Sequence, residues 1–100
     1  MKVCREFDPL STGHICAATT TLDTPKQGTV YANGILIARE TDPTVSHPFP
    51  PSPPCAPHVA VVNKGSPDVF VVGLPIARVR DSADAGAMTG GSPNVYANGV

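Results

Sequence analysis

Short apolar runs separated by turn residues dominate the pattern along the chain. In the clearest case, residues 30–32 (Val-Tyr-Ala) and 35–37 (Ile-Leu-Ile) flank the dipeptide Asn33-Gly34. Asn-Gly between two apolar runs is a strong signal for a β-hairpin, because a type I′ turn needs positive φ at both central residues. Residues 95–97 followed by Asn98-Gly99 repeat the pattern. The chain is therefore predicted to be all-β, with hairpins joined by long loops.

A third copy of the same pattern lies between these two. Residues 69–71 precede Val72-Gly73, and Val72 stands where the other copies have Asn, so this turn can be of a different type. The segment 82–88 has room for one helical turn at most. No other window has a helical period.

The copies form an internal repeat that is divided between the chain ends. After the first two hairpins, residues 38–42 (Ala-Arg-Glu-Thr-Asp) and 77–81 (Ala-Arg-Val-Arg-Asp) match, and the third hairpin reaches the C-terminus without such an ending. The missing ending is residues 4–8 (Cys-Arg-Glu-Phe-Asp) at the N-terminus. We therefore predict one domain, residues 1–100, built as a small cone of three pseudo-repeated units. Their approximate bounds are 9–42, 43–81 and 82–100 completed by 1–8, and pairing of the N- and C-terminal segments closes the ring.

Composition narrows the classes of function. Apolar residues make up 41% of the chain, charged residues 15%, and the net charge is -1. There is no basic footprint for nucleic acid. The N-terminal eight residues contain no apolar stretch of the kind found in secretory signals, and the aliphatic runs at 59–62 and 69–72 are too short to cross a bilayer.

The three histidines have a pattern that indicates metal binding. His14 and His47 follow Asp8 and Asp42, the closing residues of two units, by six and five positions. The third unit has no histidine after its closing aspartate, and His58, in the segment 55–58 (Cys-Ala-Pro-His), can take the vacant place. Three imidazoles and a thiolate form the closed tetrahedral set typical of structural zinc. The predicted site is one zinc ion held by His14, His47, Cys55 and His58.

The sulfur ligand has two candidates. Cys55 lies three residues before a histidine, a common chelating distance, and is preferred to Cys16, which lies two residues after His14. Cys4 aligns with alanines in the other two units and is expected to be a small buried side chain. Three cysteines without an export signal make a disulfide framework unexpected.

The remaining polar residues favour a structural protein over an enzyme. Four protein ligands leave no open position on a metal for catalysis, and Asp23, Asp68 and Asp84 read as isolated loop carboxylates. The Arg-x-x-Asp spacing recurs in all three units, as residues 5–8, 39–42 and 78–81. It predicts an ion pair inside each unit, the alternative being a surface that binds an acidic partner.

The proline-rich segment 48–57 has two interpretations. By itself it has the composition of a polyproline II ligand of the PxxP type for an adaptor domain. Its position between the candidate metal ligands favours a stiff surface loop.

The sequence resembles the PAAR-repeat family, named for Pro-Ala-Ala-Arg. The resemblance rests on residues 65–78, in which Gly-Ser-Pro leads through Val and Gly to Pro75-Ile76-Ala77-Arg78, and on the looser copy that ends at 36–39. It implies a small cone that caps and sharpens the trimeric β-helical spike of a contractile injection machine, either a phage tail or a type VI secretion system. It also implies zinc held by three histidines and one cysteine, which maps onto His14, His47, Cys55 and His58.

The resemblance to this family also implies a partner and a location. The expected partner is the spike trimer, with one cap per trimer, and the tip would contact the target membrane transiently during puncture. We expect a monomer in isolation, no nucleic acid and no small-molecule substrate. We also expect location at the spike tip of a virion tail or, alternatively, secretion by a type VI system without a signal peptide. The competing hypothesis is a free-standing zinc-binding or proline-rich interaction module in the cytosol.

Overall fold

The computed structural model describes residues 1–14, 16–49 and 56–99, with side chains left aside at 48, 49 and 56. Within these ranges the protein is all-β and has no helix, as predicted. The described part therefore contains no helix that could cross a membrane.

In the described part of the chain, ten short strands form four antiparallel sheets. The strands are β1 (Pro9–Ser11), β2 (Thr19–Thr21), β3 (Tyr31–Ala32), β4 (Ile35–Leu36), β5 (His47–Phe49), β6 (Ala56–His58), β7 (Phe70–Val71), β8 (Leu74–Pro75), β9 (Ser82–Ala83) and β10 (Gly86–Met88). One sheet has four strands in the order β2-β1-β10-β9, and it joins the first unit to the third. The pairs β3-β4, β5-β6 and β7-β8 are separate two-stranded hairpins.

All three predicted hairpin turns have the same backbone conformation. Asn33 and Gly34 have φ of 56° and 76°, and Asn98 and Gly99 have 61° and 87°. Val72 and Gly73, at 47° and 81°, match them, so the middle turn does not differ in type. A β-branched residue rarely has positive φ. Tertiary contact accounts for it here, because the Val72 carbonyl accepts a 3.1 Å hydrogen bond from the Arg39 guanidinium.

The N-terminus completes the third unit, as the repeat predicted. The backbone N–H of Val3 donates to the Val95 carbonyl at 3.0 Å, and Lys2 pairs with Tyr96. The terminal amine donates to the Ala97 carbonyl at 3.1 Å. Since two-stranded pieces are marginal in water, this pairing supplies the return strand that the third hairpin lacks.

The buried apolar residues form two hydrophobic clusters, and every unit contributes side chains to both. The first lies under the hairpins and the second under the four-stranded sheet. The hairpin cluster contains Val3, Ala32, Ile37, Val71, Ile76 and Ala97. The second cluster contains Cys4, Leu10, Leu22, Ala38, Val62, Ala77, Ala83 and Met88. Consecutive residues, such as Ile37 and Ala38, pass from one cluster to the other in every unit, and Cys4 replaces alanine at 0% exposure as expected.

The Arg-x-x-Asp motif forms an ion pair inside each unit. Arg5 meets Asp8 at 2.9 Å, Arg78 meets Asp81 at 2.9 Å and Arg39 meets Asp42 at 3.5 Å. In each case the carboxylate also accepts the backbone N–H of its own arginine. The three pairs are largely buried, so they shape the turn that closes the unit.

The proline-rich segment contributes two strands beside the candidate metal ligands. β5 pairs with β6 in antiparallel register, so that His47 lies opposite His58. The predicted loop at 48–57 is thus bounded by a hairpin stem, and its residues 50–55 lie outside the described part of the chain. The polyproline interpretation is untested there.

Candidate metal centre

Four side chains converge where the loops of the three units meet. His14 follows β1, His47 begins β5, His58 ends β6, and Asp84 lies in the turn between β9 and β10. Their ligand atoms all lie within 4.8 Å of one another. Each unit therefore contributes at least one ligand-type side chain to a single point.

The distances between these atoms are those of a compact ligand set. One Asp84 oxygen, Oδ2, lies 2.9 Å from Nε2 of His14 and 2.7 Å from Nε2 of His47. Its other oxygen, Oδ1, lies 3.4 Å from Nε2 of His58. Nε2 of His14 and Nε2 of His47 are 3.3 Å apart. Zinc bound tetrahedrally at about 2.0–2.1 Å from each ligand separates neighbouring ligand atoms by about 3.3–3.4 Å. The distances from His14 to His47 and from Asp84 to His58 match this separation, whereas the two shorter Asp84 distances are those of hydrogen bonds.

Hydrogen bonding outside the cluster orients His47. Its Nδ1 lies 2.8 Å from the Val45 carbonyl, an acceptor, so Nδ1 carries the proton. Nε2 is then the ring nitrogen that faces the cluster, where it donates to the Asp84 carboxylate when protonated and can bind a metal ion when deprotonated. The carboxylate and imidazole atoms that meet at this short range need protons or a cation between them. A bound metal ion satisfies all of them together.

The carboxylate of Asp84 is buried but remains ionised. Its side chain is 5% exposed. Burial by itself would raise the pKa of Asp84, yet hydrogen bonds from His14 and His47 outweigh it, so the pKa lies below its ordinary value. The cluster thus offers three imidazoles and one negative charge in a site where His58 alone of the four side chains is appreciably exposed, a donor set that fits zinc or another divalent transition metal.

The structure brings together three of the four residues that the sequence indicated. His14, His47 and His58 meet, whereas Cys55 lies outside the described residues, and its role stays a prediction. Cys16 is disulfide-bonded. The disulfide at Cys16 departs from the expectation that a disulfide framework is unlikely, since the number of cysteines does not report which of them the fold brings close.

Asp84 was misjudged as an isolated loop carboxylate. It lies three residues after Asp81, in the part of the third unit where the other units carry histidine. The alignment of the three units therefore indicates Asp84 as a ligand candidate, provided that a carboxylate is accepted at that place as well as a histidine. The turn β9–β10, with Asp84 at φ 54°, is what directs it into the cluster.

Comparison with known proteins agrees with this architecture. The family model of the PAAR motif matches residues 11–90, which is most of the chain. No curated protein gives a significant match. The matched segment includes both complete hairpins, the three histidines and Asp84. The chain therefore belongs to the PAAR-motif family, the metal-binding spike-tip proteins of phage tails and type VI secretion machinery.

Proposed function

We propose that this protein is a metal-stabilised tip that caps the trimeric β-helical spike of a contractile tail and assists membrane puncture. The observation that carries the proposal is the closed ring of three equivalent units in one chain. A single copy then offers the same contact three times, which suits the end of a three-chain spike. A β-helix ends in unpaired strand edges, and a cap protects them. The proposed location is the spike tip of a phage tail, and a type VI secretion system is the alternative.

The docking face in this proposal is the ring of three hairpins. Each hairpin begins with an exposed aromatic residue at the equivalent position: Tyr31, Phe70 and Tyr96 are 55%, 57% and 41% exposed. The Tyr31 and Tyr96 hydroxyls each donate to a carbonyl three residues earlier, so the two rings are held in equivalent ways. Large, rigid aromatic side chains are the commonest anchors at protein interfaces.

The metal has a mechanical role in this proposal. One ion held by His14, His47, His58 and Asp84 cross-links loops from all three units at a point that the hairpin ring does not include. Structural zinc in small domains contributes about 10–16 kcal/mol of folding free energy at neutral pH. Four protein ligands leave no open coordination position, so we assign the ion no catalytic step.

Two residues compete for the fourth ligand position. The Asp84 carboxylate lies beside the three imidazoles, which supports it as the ligand, and Cys55 is the ligand expected from the sequence and from the family resemblance. We propose the Asp84 carboxylate. Replacing the native metal by Co²⁺ distinguishes the two, because thiolate ligation adds intense near-ultraviolet charge-transfer absorption that imidazole and carboxylate ligands lack.

The expected result is one metal ion per chain, a Co²⁺ spectrum without thiolate absorption, and loss of metal in Asp84→Asn. Cys55→Ser should retain the ion, and Asp23→Asn, an exposed carboxylate far along the chain, serves as a control. Thiolate absorption that disappears in Cys55→Ser, with metal retained in Asp84→Asn, would assign the position to Cys55. Purified protein without a transition metal would refute the metal-stabilised tip.

The docking face is tested separately with the spike trimer of the same machine. Tyr31→Ser, Phe70→Ser and Tyr96→Ser should each weaken the complex, and the triple variant should abolish it. Phe7→Ser is the matched control, since Phe7 is 61% exposed but lies outside the hairpins. Equal loss of binding in the control, or none in the triple variant, would contradict the assignment.

A further inference from the structure

A groove on the side of the molecule breaks the threefold likeness of the units. It has a volume of about 610 Å³ and lies where the N-terminal residues complete the third unit. Its walls include Lys2, Val79, Arg80, Gly90, Gly91 and Tyr96. Its lining includes the exposed Tyr96 of the third hairpin and Gly90, whose carbonyl lies 3.5 Å from the thiol of Cys4 in the second cluster.

The other two units have an equivalent position, defined by one backbone hydrogen bond. The residue after the arginine of each closing motif donates its N–H to the return strand of the next hairpin. The three bonds are Glu6 to Leu36 at 2.9 Å, Glu40 to Pro75 at 2.8 Å, and Val79 to Lys2 at 2.8 Å. The three sites can therefore be compared residue by residue.

The third site is positively charged where the other two sites carry a glutamate. Glu6 and Glu40 are replaced by Val79, which removes the carboxylate. A cation, Lys2, takes the place of an apolar strand residue, and a second cation, Arg80, takes the place of uncharged residues in the following turn. Neither side chain has a hydrogen bond or ion pair within the described ranges, and the groove has no acidic residue among its lining residues.

The floor of the groove is made of backbone. A Cβ at Gly91 would lie 2.5 Å from the Val3 carbonyl oxygen, and one at Gly90 would lie 2.7 Å from the Pro9 ring. At the equivalent place in the first unit, Thr24 reaches across and donates to Glu6 at 2.6 Å. The third site has no such bridge, so its apolar walls and its two cations face solvent.

We propose that this groove binds a short acidic peptide segment of another protein, in which a carboxylate lies next to an apolar side chain. The carboxylate would pair with Lys2 and Arg80, and the apolar side chain would pack on Val79. Because only the third of the three compared sites carries this arrangement of Lys2, Val79 and Arg80, such a partner would bind one copy per cap, unlike a spike contact, which is repeated three times. Charge complementarity to two unpaired cations beside an apolar wall selects this occupant.

The test uses the isolated, metal-loaded protein and needs no spike. The probe is a tetrapeptide with blocked ends that alternates Glu and Leu; the matched probe alternates Gln and Leu, and sodium acetate is the third ligand. Backbone amide NMR should show shifts confined to the groove with the acidic peptide. Added salt should weaken binding, since the cations are exposed.

Variants of the third site can be given the residues that the other two sites carry. Val79→Glu restores the glutamate of the other units and should abolish binding. Arg80→Thr, copying Thr41, should weaken it roughly two- to fivefold, as expected for one exposed ion pair. Lys64→Gln removes an exposed cation elsewhere and should change nothing. Equal shifts with the Gln-Leu peptide, the same shifts with acetate alone, or full binding in Val79→Glu would overturn the proposal.

Discussion

The hydroxyl of Ser92 donates a 2.5 Å hydrogen bond to the side-chain oxygen of Asn33, the first residue of the turn in the first hairpin. Ser66 makes the same contact with Asn98 at 2.6 Å, so the turn of the third hairpin is held by the second unit in the same way. Each hairpin turn thus rests on the unit before it. The ring is closed by these contacts as well as by its strands.

The third contact of this ring has different chemistry. Gln27 occupies the position of the two serines, and its Oε1 accepts the N–H groups of Thr29 and Val30, as the serine hydroxyls do in their units. At the boundary between the first and second units, the hairpin turn carries Val72, whose side chain has no oxygen that could accept a hydrogen bond. Only its carbonyl is bonded, to Arg39. The serine and the asparagine are therefore replaced together.

The first prediction concerns the Ser92 hydroxyl. Ser92 is fully buried, and Ser92→Ala removes the hydroxyl that accepts two backbone N–H groups and donates to Asn33. We expect the free energy of unfolding to fall by about 1–3 kcal/mol. Urea denaturation measures this free energy. The control is Thr29→Ala, an exposed position two residues after Gln27 in the first unit. A loss in Ser92→Ala no larger than in the control would show that the contact does not hold the ring.

The second prediction concerns ring closure. Deletion of residues 1–7 removes the return strand of the third hairpin and two buried side chains, Val3 and Cys4, but no candidate metal ligand. The shortened chain should fail to fold, as measured by circular dichroism and NMR dispersion. A circular permutant that joins the ends through a short Gly-rich linker and opens the chain elsewhere should fold, because Met1 already contacts Ala97. A folded deletion variant would contradict the closed ring.

Local patterns made the hairpins and their order predictable from the sequence. Asn33-Gly34 and Asn98-Gly99 specify their own turns, and the alignment of residues 4–8 with the other endings indicated the closure. Val72 could not be assigned this way, since its positive φ depends on a contact with Arg39 from a different unit. Local preference does not report such a contact.

The candidate site was predictable in part, for the same reason. Repeat spacing brought out the three histidines, because each lies at a defined distance from a motif or a chelating neighbour. Asp84 was missed because carboxylates are common in loops, and only the turn between β9 and β10 directs this one into the cluster. The disulfide at Cys16 likewise depends on how the loops approach each other, which spacing does not encode.

The third prediction concerns the buried thiol. Burial raises the pKa of Cys4 far above its ordinary value, so the thiol should not react with iodoacetamide in the folded protein. Cys4→Ala copies Ala38 and Ala77 and should change stability by less than about 1.5 kcal/mol, with full metal retention. Leu10→Ala, in the same cluster, should cost about 2–5 kcal/mol. Rapid alkylation of folded protein would contradict the packing described.

The fourth prediction concerns metal removal. A chelator should increase amide hydrogen exchange in the segments that carry the ligands, around His14, His47 and Asp84, much more than in the hairpin strands. The reason is that the hairpin cluster is packed independently of the metal centre. Uniform loss of protection throughout the protein would instead mean that the ion stabilises the whole fold.

The central claim is that one chain supplies a threefold cap. Native mass spectrometry of this protein mixed in excess with the spike trimer of its machine tests it most directly. We expect a single complex of one metal-loaded cap with three spike chains, unchanged at higher cap concentration. Three caps per trimer, or no complex at all, would contradict it.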